Sequence, residues 1–218
     1  NQNFDIDLNK VYACGMSNGG YMAYRLACDL SDKITAFGSV TGNFMINTSQ
    51  NDCQDQEREI PIIHIHGTAD SIVGYYPPSF DGSLTVEQSI EYWTDYNNLD
   101  LETIFEVNNN VEIYKYYSEL ALTEFVHYKV YGGNHEWFSN NWGFNSSQEL
   151  ISFFLQFELS DFINNQIQGD INADGNINIQ DIILIINIIF NLEYHELGDM
   201  NNDGIIDIVD IAPICLKM

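Results

Sequence analysis

The apolar run Lys10-Val-Tyr-Ala-Cys14 passes directly into Gly15-Met-Ser17-Asn-Gly19, and the helix-patterned stretch Asn18–Asp29 follows at once. A serine on so sharp a strand-to-helix turn is forced into a strained backbone that lifts its hydroxyl above a sheet. Glycines two before and two after remove side chains that would collide with strand and helix. The flanking residues must therefore supply a strand below Ser17 and a helix behind it.

The rest of residues 1–160 continues that alternation. Ala36–Thr41 and Ile60–His66 read as apolar strands, and Val86–Asn97 as an amphipathic helix carrying Ile90, Trp93 and Tyr96. Glu102–Val107 and Val111–Tyr117 flank Asn108-Asn-Asn110 as a hairpin, Phe125–Tyr131 is a further strand, and Ser147–Leu159 a closing helix. Strands separated by helices imply an α/β fold with a mostly parallel sheet and helices on both faces. At 218 residues and 45% hydrophobic, the chain can bury a real core. Its net charge of −25 argues against a nucleic acid or an anionic membrane as partner. The chain opens on Asn1 without a basic or greasy leader, which reads as a start inside a fold.

A serine on such a turn needs a base, and the base needs an orienting carboxylate. Asp70 follows Ile62-Ile-His-Ile-His-Gly-Thr-Ala, just past a strand's carboxyl end, where α/β sites form. His135 follows the last strand and the turn Gly132-Gly-Asn134. The order Ser17, Asp70, His135 is that of α/β-hydrolases and of neither chymotrypsin nor subtilisin. His64 and His66 share one face of a strand and could pinch a metal, but a central strand more often buries such a pair against its neighbours. His135-Glu136 begins like a zincin motif and fails at Ser139. His127 and His195 default to structural or solvent roles. Cys14 reads as a buried thiol, and Cys28 and Cys53 could pair in an exported protein; Cys215 completes the four, without CxxC spacing.

Lys10–Asp29, His64–Tyr75 and Gly132–Trp137 together resemble the esterases related to polyhydroxybutyrate depolymerase and feruloyl esterase. That family has a GxSNGG elbow, an HGTAD segment and a GGGHTW segment. Here these are Gly15-Met-Ser-Asn-Gly-Gly20, His66-Gly-Thr-Ala-Asp70 and Gly132-Gly-Asn-His-Glu-Trp137. The resemblance covers about residues 5–158 and implies Ser17 as nucleophile, Asp70 as acid, His135 as base and the Asn18 backbone N–H as an oxyanion donor. Asn134 departs from the family's glycine, and Gly74 stands where it often has proline. In the family the elbow lies midway, after several strands and a His-Gly segment giving a second oxyanion donor. The resemblance therefore implies that this chain is the C-terminal part of an α/β-hydrolase and inactive alone.

Residues 161–218 hold ten acids against Lys217 alone. Residues 161–169 read as a linker, and two twelve-residue segments follow it. Asp170-Ile-Asn-Ala-Asp174-Gly-Asn-Ile-Asn178-Ile-Gln-Asp181 carries oxygen side chains at positions 1, 3, 5, 9 and 12, and glycine at 6, as a calcium loop does. The pattern returns 29 residues later as Asp199-Met-Asn201-Asn-Asp203-Gly-Ile-Ile-Asp207-Ile-Val-Asp210. The expected ligands are Asp170, Asn172, Asp174, Asn176, Asn178 and Asp181 in the first loop. In the second they are Asp199, Asn201, Asp203, Ile205, Asp207 and Asp210. Position 7 (Asn176, Ile205) contributes a backbone carbonyl in such loops.

Paired, Asp-ended loops without an entering helix resemble a type I dockerin over about residues 169–218. That resemblance implies a small all-α domain, two Ca²⁺ ions and a cohesin partner. Positions 10 and 11, which often face the cohesin, are Ile179-Gln180 and Ile208-Val209 rather than Ser/Thr pairs. Pro213 is expected to shorten the second helix. The combined expectation is a secreted serine esterase acting on acetyl or feruloyl esters of a polysaccharide, with the dockerin for assembly. A polyhydroxyalkanoate depolymerase is the alternative enzyme, and a non-catalytic calcium-stabilised assembly protein the alternative of another class.

Overall fold

A computed structural model describes residues 6–45, 58–77, 82–119, 121–163, 168–172, 177–191 and 194–217. The chain divides into two compact units, Asn1–Leu159 and Ser160–Met218.

The first unit is built on one six-stranded sheet. Its strands are β1 (Tyr12–Met16), β2 (Ala36–Val40), β3 (Ile62–Gly67), β4 (Leu101–Asn108), β5 (Val111–Tyr117) and β6 (Glu124–Val130), in the order β1-β2-β3-β6-β5-β4. β1, β2, β3 and β6 run parallel, while β6, β5 and β4 are joined antiparallel. The sheet is thus mixed, and the expected hairpin forms its antiparallel margin.

Helices cover both faces because alternate strand residues point opposite ways. Helix α1 (Asn18–Asp29) buries Gly20, Ala23, Tyr24, Ala27 and Cys28, a stripe at helical spacing. It packs with α2 (Val86–Tyr96) over Phe37 and Ile62, where Tyr24, Phe44 and Trp93 form an aromatic core. Helix α3 (Ser146–Phe154) takes the other face. Its Leu150 and Phe154 press on Gly38, which has no room for a side chain. α3 ends at Phe154, short of the expected Leu159; α4 (Leu159–Ile163) begins separately after a turn. Asn145 caps α3 by accepting from the Ser147 and Gln148 N–H groups.

Cys14 departs from its expected burial. It is an exposed free thiol because β1 is the edge strand. Cys215 is likewise free and exposed, whereas Cys28 is disulfide-bonded. Its expected partner, Cys53, lies outside the described residues.

The second unit repeats itself. Helices α5 (Ile179–Asn191) and α6 (Ile208–Lys217) start 29 residues apart, and so do the core pairs Ile177 and Ile206, Ile182 and Ile211, and Ile185 and Ile214. Pro213 does not end α6, contrary to expectation. Ile214 beside it is fully buried and anchors the helix, and the bond proline cannot make falls on the carbonyl of exposed Val209. Among the described residues, no helix is long and apolar enough to cross a membrane.

Candidate active site

Ser17 leaves β1 and caps α1 with φ 55° and ψ −120°, a left-handed backbone that an L-residue adopts only under strain. Three contacts hold it there. Its N–H donates to Val40 O at 2.9 Å, and its carbonyl accepts from the N–H groups of Gly20 (2.9 Å) and Tyr21 (3.1 Å). A Cβ on Gly15 would stand 2.6 Å from the Gly19 carbonyl oxygen, so glycine is required there. Gly19 itself is different. A Cβ on it meets nothing within 4 Å, so its backbone, rather than its lack of a side chain, makes the close approach. Asn18 is exposed and is the first residue of α1, where helix N–H groups have no carbonyl one turn back.

Asp70 and His135 come from the loops after β3 and β6, and the glycines before them join those loops. A Cβ on Gly67 would lie 2.9 Å from Gly133 Cα and closer still to its carbonyl. Ala69 N–H donates to Gly133 O (2.9 Å), and Gly132 N–H to Thr68 Oγ1 (2.9 Å). The result is a 2.8 Å bond between His135 Nδ1 and Asp70 Oδ2. Asp70 Oδ1 accepts from the N–H groups of Ile72 and Val73, both at 2.8 Å. Burial alone would raise the Asp70 carboxyl. His66, His135 and the two backbone donors outweigh it and hold Asp70 down to about 2. His135 is half-buried, while the Asp70 side chain is fully covered.

β1, β3 and β6 belong to the parallel part of the sheet, so Ser17, Asp70 and His135 all emerge at its carboxyl edge. The structure brings Asp70 and His135 into contact. Among the described residues Ser17 Oγ has no hydrogen bond to His135, a separation common before substrate binds.

Beneath Asp70 lies a chain of buried polar groups. His66 Nε2 contacts Val73 O (2.9 Å) and approaches Asp70 Oδ2 (3.4 Å), and His66 Nδ1 meets His64 Nε2 (3.0 Å). His64 Nδ1 meets Tyr24 OH (2.8 Å). His127 Nδ1 bonds His64 O (3.0 Å) and its Nε2 bonds Tyr75 OH (2.9 Å). The ring nitrogens of His64 and His66 are thereby occupied by one another and by protein groups, and this settles the pair as structural. Burial pushes the His64 ring well below its ordinary range and His127 down to about 3.

A cavity of about 270 Å³ opens beside the elbow, lined by Asn18, Tyr21, Met22, Arg25, Phe44 and Met45. Neither this cavity nor Thr41 was visible in the motifs. Thr41 is buried, has φ 50° and leaves its Oγ1 unpaired. The following Gly42 packs against Ser17: a Cβ on it would lie 2.7 Å from the Ser17 carbonyl oxygen. Only the Thr41-Gly42 dipeptide after an apolar strand could have signalled this contact.

In the second unit the loop bonds repeat with the 29-residue offset. Asp181 Oδ1 accepts from Ile171 N–H (2.7 Å) and Asp210 Oδ1 from Met200 N–H (2.8 Å). Asp181 Oδ2 accepts from Asn178 N–H (2.8 Å) and Asp210 Oδ2 from Asp207 N–H (2.9 Å). Asn178 and Asp207 each cap the residue two further on. Gly204, at position 6 of the second loop, has φ 81°. Asp174 and Asn176 lie outside the described residues. Among the described residues no three His, Cys, Asp or Glu side chains are gathered as a metal cluster. The expected sets draw much of their oxygen from Asn172, Asn178, Asn201 and the Ile205 carbonyl, which such a count omits. Asp170, Asp181, Asp199 and Asp210 are all buried in a unit whose one Lys or Arg is Lys217. Buried carboxylates need a compensating cation, so this donor set fits a hard divalent ion.

No family model matches the chain. A stretch of 72 residues, 33% of the chain, is 33% identical to a bifunctional acetylxylan esterase/xylanase of Neocallimastix patriciarum and covers 10% of that protein. The chain thus spans about a tenth of the curated relative it matches. Of the solved structures, a variant of SOBER1 from Arabidopsis thaliana is similar with a TM-score of 0.42 and 16% identity, over 69% of this chain and 55% of that one.

Proposed function

We propose that this chain carries the catalytic groups of a secreted serine esterase of α/β-hydrolase fold. The observation that carries the reading is the strained Ser17 elbow on the sheet edge that also bears the bonded Asp70–His135 pair. Ser17 Oγ attacks the ester carbonyl carbon while His135 Nε2 takes its proton. Asp70 holds the imidazole with Nδ1–H toward itself and stabilises the charge that forms. The Asn18 N–H faces the developing oxyanion. His135 then returns the proton to the departing alcohol, and water releases the acid from the acyl-enzyme.

The partial likeness to an acetylxylan esterase supports acetyl esters on a polysaccharide as the first substrate class, ahead of feruloyl esters and polyhydroxyalkanoate. The cavity beside the elbow offers room for the acyl group. The disulfide at Cys28 supports export to an oxidising compartment. The second unit is read as a dockerin-like module that binds two Ca²⁺ ions and a cohesin. Its symmetric loops support this, as do exposed Ile179, Ile208 and Val209 at the positions expected to face a partner.

The test is acetate release from acetylated xylan by the full-length protein and by its Ser17→Ala variant. Turnover should fall at least about 10³-fold; undiminished release overturns the assignment.

A further inference from the structure

We propose that His66 is a positioning residue: held from behind by His64 and Tyr24, it fixes the Asp70 loop against His135. The inference rests on the reading of Asp70 and His135 as acid and base. It begins from proton accounting along the buried chain. Val73 O can only accept, so His66 Nε2 carries a hydrogen and donates to it. Tyr24 is fully buried, and its hydroxyl proton has no bonded partner besides His64 Nδ1. Reversing that bond would strand the proton in an apolar site. So Tyr24 OH donates to His64 Nδ1, His64 Nε2–H donates to His66 Nδ1, and His66 Nε2–H faces Val73 O and Asp70 Oδ2. Each donor is used once and all point toward the Asp70 loop.

The geometry assigns the consequence. Val73 receives His66 on its carbonyl and gives its N–H to Asp70 Oδ1, so His66 grips the peptide units that orient the carboxylate. It also stands 3.4 Å from the oxygen that receives His135. Asp70 cannot rotate about its own side chain without breaking bonds on both oxygens. His66 touches no substrate; it acts through Asp70.

The experiment compares the chain with His66→Phe, which keeps a ring and removes both nitrogens, and with His66→Gln, whose amide can donate toward Val73 O. Two readouts are taken: the hydrogen-bonded Nδ1 proton of His135, by NMR on protein with isotope-labelled histidine, and the labelling rate of Ser17 by a fluorophosphonate. His66→Phe should lose or broaden that proton resonance and slow labelling by up to about 10²-fold, the effect of a small misplacement. His66→Gln should recover part of both, which a merely space-filling role would not do. If His66→Phe does not fold, His66→Gln and Tyr24→Phe decide on the same resonance. An unchanged resonance and labelling rate in every folded variant overturns the proposal. A Ser17 that never labels, beside a His135 resonance that still responds to position 66, sinks the esterase reading and leaves the positioning role standing.

Discussion

Asp70 has two oxygens with separate duties, and that division makes a single-atom change informative. Oδ1 serves the Ile72 and Val73 N–H groups, and Oδ2 serves His135. The amide in Asp70→Asn has one acceptor, so keeping the loop bonds turns its NH₂ toward His135 Nδ1. The ring must then accept there and carry its hydrogen on Nε2, where it cannot take the Ser17 proton. Esterase turnover should fall by about 10⁴-fold with the fold intact; a loss below tenfold would remove Asp70 from the mechanism. Gly67 carries a second prediction at this scale. Its missing Cβ is what lets Gly133 approach, and the colliding atoms are backbone, which cannot swing aside. Gly67→Ala should destabilise the first unit by about 1–3 kcal/mol and weaken the His135–Asp70 bond, as read from denaturant midpoints and the same imidazole proton. A variant as stable as its parent would show that the two loops have slack.

Among the elements, β3 and β6 form the boundary between the chemistry and the core. Each strand is buried on both faces and carries histidine there, His64 and His66 on β3 and His127 on β6. The buried neutral rings of His64 and His127 tie stability to pH. Their pKa values lie below the unfolded value of about 6.5, so their contribution is complete above pH 6.5 and is lost as acid protonates the unfolded chain first. Below that point each ring should cost about 1.4 kcal/mol per pH unit. Asp70 adds its own loss only between about pH 4 and 2, where the unfolded carboxyl binds a proton and the folded one does not. Urea unfolding followed by tryptophan fluorescence, with Trp93 in the core, should show stability falling steadily from pH 6.5 to 4.5. A flat profile over that range would contradict the buried neutral rings. These elements also show what was legible beforehand. Helix α1 matched its sequence span because Ser17 marks its start and its apolar stripe keeps helical spacing throughout. Asp70 and His135 were legible from strand ends and motif order. The link from Tyr24 through His64 to His66 was not, because it joins α1 to β3 across a register that only tertiary packing sets. The end of α3 was missed for a similar reason. Phe157 and Leu159 continue its apolar pattern but are buried from beyond the helix, and no glycine or proline marks the stop.

Taken whole, the chain joins an acidic α/β unit to a smaller one whose four buried aspartates share a unit with Lys217 as its one Lys or Arg. The 29-residue identity of bonds and core contacts says that both halves of that unit do the same job, so both loops should take a cation or neither should. Calcium present at about a hundredfold excess over its dissociation constant stabilises a folded site by about 2.7 kcal/mol. In so small a unit that amounts to roughly 10 °C or more per filled site. Melts followed by circular dichroism should therefore rise in calcium and fall in chelator; coincident melts would exclude the loops as calcium sites. Asp181→Asn and Asp210→Asn refine the test. Each carboxylate also ties down backbone N–H groups, so either variant should lower the melt even in chelator, and absolute stability does not discriminate. The discriminating quantity is the difference between calcium and chelator within one variant. Each single substitution should remove about half of the parent's difference, and the double substitution nearly all of it. An undiminished difference in the double variant would place the ion elsewhere on this acidic chain.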